Sequence, residues 1–563
     1  MRAEPVVVER TRAWGPPAGP TLDPLRVLEV LTGAFLVAFL IVPVGAIVAD
    51  SAALIARGGL WEFPDFVGYL MRLTRNSLVV ASIVTVLCVA VSLPLAVLLG
   101  RVLPAQRLLP VALTLPLLAP PFVYAFATII LFGRVGIVTQ LLAPLGLRMP
   151  EIYGLPGIVV THVLHLIPLA YLTIAAGLRT VPKAIEECAI SLGSTPMQVL
   201  VRIVLPYISS YVYMASLLVF LASFGDVGAP LLVGGQYLVL PTEAFTRFTS
   251  FIADRRVPVL LSSWIVAISV VILIVVRALM RRTAIMHTFA TETYGYTQPS
   301  WRVAGAAFCW LVAAVLFVPY LVIFVSSLAT VWGPDLLPKG YTLRHYQALW
   351  RSVEPLRNSL VVSAAATPVA VVLAVVIGRL MRAGGRLGAA LDYVTLLPFV
   401  ISGVVLGIGL VRVYAPLDAL SPVVPLISGP ALLVVAMVSR RVCYPVRVLN
   451  AAYTRIDRSL EESSLSLGAS PATTFWKITL PQLAPAVVAA FLITFIEVVK
   501  ELGATLIVYR PGWVTLPVQI YAYALEGNLG RAGAVSMVLL GIVAAGTLAV
   551  GLLGRRTRRE AAA

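Results

Sequence analysis

Hydrophobic residues along this chain come in long runs separated by short polar breaks. A run of about 20 apolar residues is long enough for an α-helix to cross the hydrocarbon core of a bilayer. Such runs predict spanning helices near 28–48, 77–100, 108–132, 157–178, 208–234 and 258–280, then near 303–327, 359–379, 387–411, 430–450, 483–508 and 533–554. The pattern predicts an all-α polytopic membrane protein of about 12 transmembrane helices, six on each side of a polar linker at 281–302. Several runs contain prolines, such as Pro94, Pro116, Pro120 and Pro121. Kinks there are tolerable when neighbouring helices or cavity water take up the freed carbonyls.

Two of the polar breaks carry one pattern. The first reads Glu187-Cys188-Ala189, then Gly193, then Ile203-x-Leu205-Pro206; the second reads Glu462-Ser463-Ser464, then Gly468, then Ile478-x-Leu480-Pro481. Every matched position is offset by 275, and the hexapeptide Arg75–Val80 recurs at 357–362 with an offset of 282. An acid, a glycine and an Ile-x-Leu-Pro in one register, twice, mark an internal repeat. Six spans return the chain to its starting side, so the copies are parallel and related by a pseudo-two-fold axis along the membrane normal. This divides the chain into a tail at 1–26, a first repeat at 27–280 with its loop at 181–207, the linker, a second repeat at 303–555 with its loop at 456–482, and a tail at 556–563. Within each loop the acids sit in a first helical turn, where they oppose the helix dipole favourably. The glycine stops that helix, and Ser194-Thr195-Pro196 or Ala469-Ser470-Pro471 caps and starts a second one. The prediction is a helix–turn–helix exposed at a membrane face.

Composition agrees with a membrane protein: 60% of residues are hydrophobic, 12% are charged, and the mean hydropathy is +0.97. The net charge of +17 reads as basic residues at the ends of spans rather than as a nucleic-acid surface. With the N-terminus inside, inside segments hold 26 of the 42 Lys and Arg, which puts both termini and both loops in the cytoplasm. The four cysteines have no metal-ligand spacing, and no disulfide is expected. The four lysines, Lys183, Lys339, Lys477 and Lys500, each follow a residue other than glycine. The chain therefore contains no Gly-Lys phosphate-binding loop and is not itself an ATPase.

Ionisable residues inside spans are candidates for function because burying them is expensive. Glu497, Lys500 and Glu501 share one helix face in the eleventh run. At offset 275 Glu501 aligns with Asp226, each acid being followed by x-Gly-Ala. These residues and Arg440 are candidates for a translocation pathway; a charge network that only fixes helix packing is the alternative. Arg440 and Arg441 stand where the first half has His165 and Leu166. For the two arginines a structural role is the favoured reading. His162 and His165 are three apart on a helix, a spacing that permits metal binding, but with no third ligand no metal site is expected.

The duplicated loop resembles the EAA loop of bacterial ABC-transporter permeases, E-A-A-x-x-x-G, nine residues, I-x-L-P. Cys188, Ser463 and Ser464 replace alanines of that pattern. The stretch Phe495–Leu506, followed by Arg510-Pro511 and Thr515-Leu516, resembles the fused permeases of ferric-iron importers, with Gly503 in place of their usual proline. The resemblance implies the type I ABC importer fold and a multi-pass protein of the bacterial inner membrane. Two copies of an ATP-binding subunit would then dock at the loops through Glu187, Ala189, Gly193, Ile203, Leu205 and Pro206, and through Glu462, Ser464, Gly468, Ile478, Leu480 and Pro481. ATP and Mg would be bound by that partner, no cofactor by this chain, and an external solute-binding protein would deliver the cargo. Ferric iron is the first expectation for the cargo, with 2-aminoethylphosphonate, thiamine or a polyamine as alternatives. A carrier driven by an ion gradient is the competing class; it fits twelve spans but does not require the two loops.

Overall fold

A computed structural model of the chain describes residues 24–58, 65–103, 108–250, 256–283, 299–332, 335–420 and 429–560. The expected tail at 1–26 and the expected linker fall largely outside these residues. Among the described residues nine helices are long and apolar enough to cross a membrane, or eleven if two sharply bent helix pairs each count as one span. The run expected near 430–450 is the pair Gly429–Arg441 and Cys443–Tyr453. Its break and its arginines keep it from reading as one apolar span, yet Ala436, Met437, Val438 and Val442 on it are buried. The last helix runs Leu529–Glu560, through part of the stretch expected to be a tail.

Besides the run near 430–450, four of the expected spans are not continuous, and the interruptions have local causes. In the run 108–132, a helix Leu108–Thr114 and a 3-10 turn Leu115–Leu118 stop at extended Ala119 and Pro120 before Pro121–Phe132 begins. Each of those two residues precedes a proline, which disfavours the helical conformation. In the second half Gly385–Val400 and the following helix, which starts at Gly403, meet at a bend of 105°, with Ile401 and Ser402 in extended backbone. The runs 208–234 and 483–508 also divide, into Ser209–Gly225 and Gly228–Val233, and into Leu480–Val499 and Gly503–Val508.

The halves are interlocked by their first spans. Pro24–Ala56 lies against the second half: Tyr414 donates to the Ala38 carbonyl at 2.6 Å, Arg379 pairs with Glu29 at 2.7 Å, and Arg412 pairs with Asp50 at 2.9 Å. Reciprocally, Tyr320 of the second half accepts from the Ala119 amide at 3.1 Å and donates to the Pro116 carbonyl at 2.9 Å. The repeated Arg-Asn-Ser also has a structural use. Ser77 accepts the Leu240 amide at 2.9 Å and Ser359 the Leu516 amide at 2.7 Å, each at the start of a short helix opening Leu-Pro. Asn76 and Asn358 donate to carbonyls of the loops just before those helices.

Candidate functional site

The interruptions converge. Asp226 ends its helix, and its Oδ2 accepts the Ala229 amide at 2.9 Å, which caps the short helix that follows. Glu501 does the same for the Ala504 amide at 3.2 Å. A carboxylate three residues ahead of an otherwise unsatisfied helical amide is favourable in charge and geometry. The acid thus both breaks the span and starts the next segment. The two breaks touch: a Cβ on Gly228 would lie 3.1 Å from Leu502 Cδ2.

The charges around the two acids differ. Asp226 meets His162 Nε2 at 3.1 Å, and His162 Nδ1 meets Ser223 at 2.9 Å. In the second half Lys500 pairs with Glu497 at 2.6 Å and does not reach Glu501. Arg441 bridges both acids, bonding Glu497 at 3.0 Å and Glu501 Oε2. Arg440 reaches Glu501 only through Nε, at 3.8 Å. Sequence reasoning gave both arginines an anion-facing or gate reading beside the favoured structural one and carried only Arg440 among the pathway candidates; it is Arg441 that holds the cluster together. A carboxylate this enclosed is stable only with such partners. Gly403 leaves them room, since a Cβ there would stand 2.7 Å from Glu501 Oε1 and 3.3 Å from Arg440 Nε.

Between the breaks lies a cavity of about 200 Å³, bounded by Pro120 and Pro121, by Ser402 and Gly403, by both acid breaks and by Arg440, Arg441 and Lys500. All five pathway candidates line it, and so does His165, which is 9% exposed. Among the described residues no group of three or more His, Cys, Asp or Glu stands ready to hold a metal ion.

Away from the cavity, the two loops fold as helix–turn–helix hairpins. Lys183–Ser191 ends at Gly193, whose φ is +89°, and Pro196–Val199 follows under a Thr195–Gln198 capping box. Arg458–Ser466 ends at Gly468, whose φ is +86°, and Pro471–Thr474 follows, capped by Ser470. Left-handed backbone of this kind favours glycine. A π-turn then leads into Pro206 and into Pro481. Ala189 is buried, Ser464 bonds Thr474 at 2.9 Å, and Ile203 and Ile478 are half-buried, as are Leu205 and Leu480. Glu187 and Glu462 are exposed; Glu187 meets only Lys183, at 3.5 Å. At the tips Leu192 is 87% and Leu467 89% exposed, in the same register.

The acid that fixes each loop is the neighbour of the one in the motif. Glu186 pairs with Arg101 at 2.8 Å, the side chains 0% and 1% exposed, and Arg101 also donates to the Leu178 carbonyl at 2.9 Å. Glu461 pairs with Arg382 at 3.4 Å, and Arg382 donates to the Tyr453 and Ile456 carbonyls. Leu178 and Tyr453 are equivalent in the repeat, so each arginine ties the acid of its loop to the end of the preceding helix. Sequence reasoning missed this clamp. The signal was available, because both loops carry a doubled acid, Glu186-Glu187 and Glu461-Glu462. Asp457, just ahead of the second hairpin, accepts the Ser459 amide at 3.0 Å, which holds its carboxyl below the usual range.

Comparison with known proteins places these features. The family described as "Binding-protein-dependent transport system inner membrane component" matches residues 66–284 and again 367–559. A ferric transport system permease protein of Actinobacillus pleuropneumoniae is 25% identical over 493 residues, 85% of this chain and 70% of the relative. A probable ABC transporter permease protein of Sinorhizobium fredii is 27% identical over 539 residues, 92% and 94% of the two chains. A putative 2-aminoethylphosphonate transport system permease protein of Salmonella choleraesuis is 31% identical over 257 residues, 43% of this chain but 93% of its own length.

Proposed function

Because the chain belongs to the binding-protein-dependent transport system inner membrane components, we propose that it is the membrane subunit of an ATP-driven importer, with both permease repeats in one polypeptide. Each loop seats one ATP-binding subunit, and an external binding protein delivers a small solute to the opposite side. The observation that carries this reading is the pair of hairpin tips. A leucine almost wholly exposed at the same place in both halves, on a hairpin clamped by a buried arginine, suits a knob that enters a partner's groove. The surplus of basic residues on that side supports a cytoplasmic position for both loops and both termini. The relatives named for ferric transport, which cover 85% and 77% of the chain, support ferric iron as the first cargo to test. The test is purification of the tagged chain from its own membranes. An ATP-binding subunit that copurifies and supports ATP-dependent uptake is the expected result; a chain that transports with no such partner overturns the reading.

A further inference from the structure

We propose that the central cavity is a subsite for an oxyanion, so that the solute crosses as an oxyanion or wrapped in one. This deepens the reading above and rests on it in taking the cavity as part of the solute's path. Each acid of the cavity already has partners. Glu497 gives one oxygen to Lys500 at 2.6 Å and the other to Arg441 at 3.0 Å. Glu501 gives Oε2 to Arg441 and Oε1 to the Ala504 amide. Asp226 spends Oδ2 on His162 and on the Ala229 amide.

The cations are not balanced in the same way. The second half brings three, Arg440, Arg441 and Lys500, against its own two acids, and the third acid of the wall, Asp226, is turned to His162 and the Ala229 amide instead. Arg440 is the one without a close carboxylate. Among the described residues its only ion pair is the 3.8 Å approach through Nε and neither terminal amino group has a partner; its side chain keeps 16% exposure and lines the cavity. A guanidinium with two free parallel donors matches the geometry of a carboxylate, phosphate or phosphonate. The nearby His165 is nine-tenths buried and its Nδ1 has no hydrogen-bond partner. Two twelve-residue helices, Pro121–Phe132 and Gly403–Tyr414, also begin at the cavity, and the positive end of a helix favours an anion.

Size narrows the class further. A cavity of about 200 Å³ is smaller than the roughly 300–1,000 Å³ of ordinary small-molecule pockets, so the group it takes is compact. A bare trivalent cation would face Arg440, and among the described residues no group of three or more His, Cys, Asp or Glu stands ready to hold it. With an oxyanion bound to it, the same ion carries a group that Arg440 can grip.

The experiment uses the full chain in lipid nanodiscs, titrated with inorganic phosphate, 2-aminoethylphosphonate, ferric citrate, citrate alone and spermidine, with the melting temperature as readout. Stabilisation by at least one of the phosphate, phosphonate or citrate probes, and none by spermidine, is expected. A response to phosphate or the phosphonate identifies a free oxyanion. A response to ferric citrate well beyond citrate alone identifies an oxyanion carried on the metal. Arg440→Gln weakens the response by about tenfold or more, Arg440→Lys keeps part of it, and Asp226→Asn, which takes a negative charge out of the cavity wall, strengthens it. Stabilisation by spermidine alone, no response to any oxyanion, or a response lost in Asp226→Asn and kept in Arg440→Gln overturns the proposal. The loops are far from these substitutions, so binding of the ATP-binding subunit is scored separately. A chain that seats its ATPase but ignores oxyanions fails only the subsite, and one that binds oxyanions but no ATPase fails only the importer reading.

Discussion

In the first half Arg101 and Glu186 meet with essentially no exposed surface, while in the second half Arg382 and Glu461 hold the same place with side chains 13% and 25% exposed. At the cavity the contrast reverses. There the first half sets one acid against a histidine, and the second sets two acids among three cations, two of them closely paired. Both halves share their helix breaks and their hairpins, so backbone architecture is common property. What has diverged is where each half keeps its buried charge: the first at the loop, the second at the cavity. A repeat that holds its charge deep in one place is most sensitive there, and that expectation can be broken half by half.

The largest difference is expected at the clamp. Arg101→Ala leaves Glu186 buried without its cation, a change that costs about 3–5 kcal/mol. Arg382→Ala, at a partly solvated pair, should cost about 1–3 kcal/mol. Melting of the purified chain measures both, and equal losses would remove the asymmetry. The cavity should show the opposite order. Glu501→Gln takes one of two acids from Arg441 and the only one near Arg440, and is expected to destabilise by about 2–4 kcal/mol. Asp226→Asn can keep its bond to His162 and should cost about 1 kcal/mol. Uptake per folded transporter, measured on the same proteins, separates a pathway role from packing; unchanged specific uptake in the double variant leaves packing alone.

The hairpin glycines sharpen the comparison by predicting no difference. Gly193 and Gly468 have nearly the same positive φ, and no atom lies within 4 Å of a Cβ built on either. A β-branched residue at either site therefore meets strain without a clash, about 1–3 kcal/mol in each case. Each valine substitution should weaken ATPase binding at its own loop to a similar extent.

The smallest effect concerns pH. The Asp457 carboxyl is held below its ordinary value by the Ser459 amide, and the equivalent position in the first half is Pro182, which offers no side-chain cap. A depressed carboxyl contributes stability that is complete above its unfolded value and is lost as pH falls through the folded one. Acidification below the usual carboxylate range should loosen the second hairpin slightly through this group, and Asp457→Asn should remove that dependence. Amide exchange across 458–466 against 183–191 reads the difference.

The sequence made the repeat legible because membrane spans and glycine-ended hairpins are written in local patterns. Apolar runs located the spans, and the fixed interval from Glu187 to Pro206 and from Glu462 to Pro481 located both hairpins. The breaks at Ala119-Pro120 and Ile401-Ser402 were harder to see, because hydropathy averages over the few extended residues that interrupt a run. Asp226 and Glu501 stood out as charges inside apolar segments. Their capping of Ala229 and Ala504 did not, since it depends on the helix having already ended. Arg101 was read only as an orientation signal, because its partner Glu186 lies 85 residues away and nothing local marks the pair. The exchange of first spans, through Tyr414 and Tyr320, leaves no trace in periodicity at all.

The central claim is that this one chain seats an ATP-binding subunit on each of two equivalent hairpins. Native mass spectrometry of the complex in nanodiscs counts those subunits directly, for the unaltered chain and for Gly193→Val, Gly468→Val and both together. Two subunits on the unaltered chain, a weakened site for each single change and loss of both in the double variant are the predicted results. Two subunits retained by the double variant, or none on the unaltered chain, would contradict the claim.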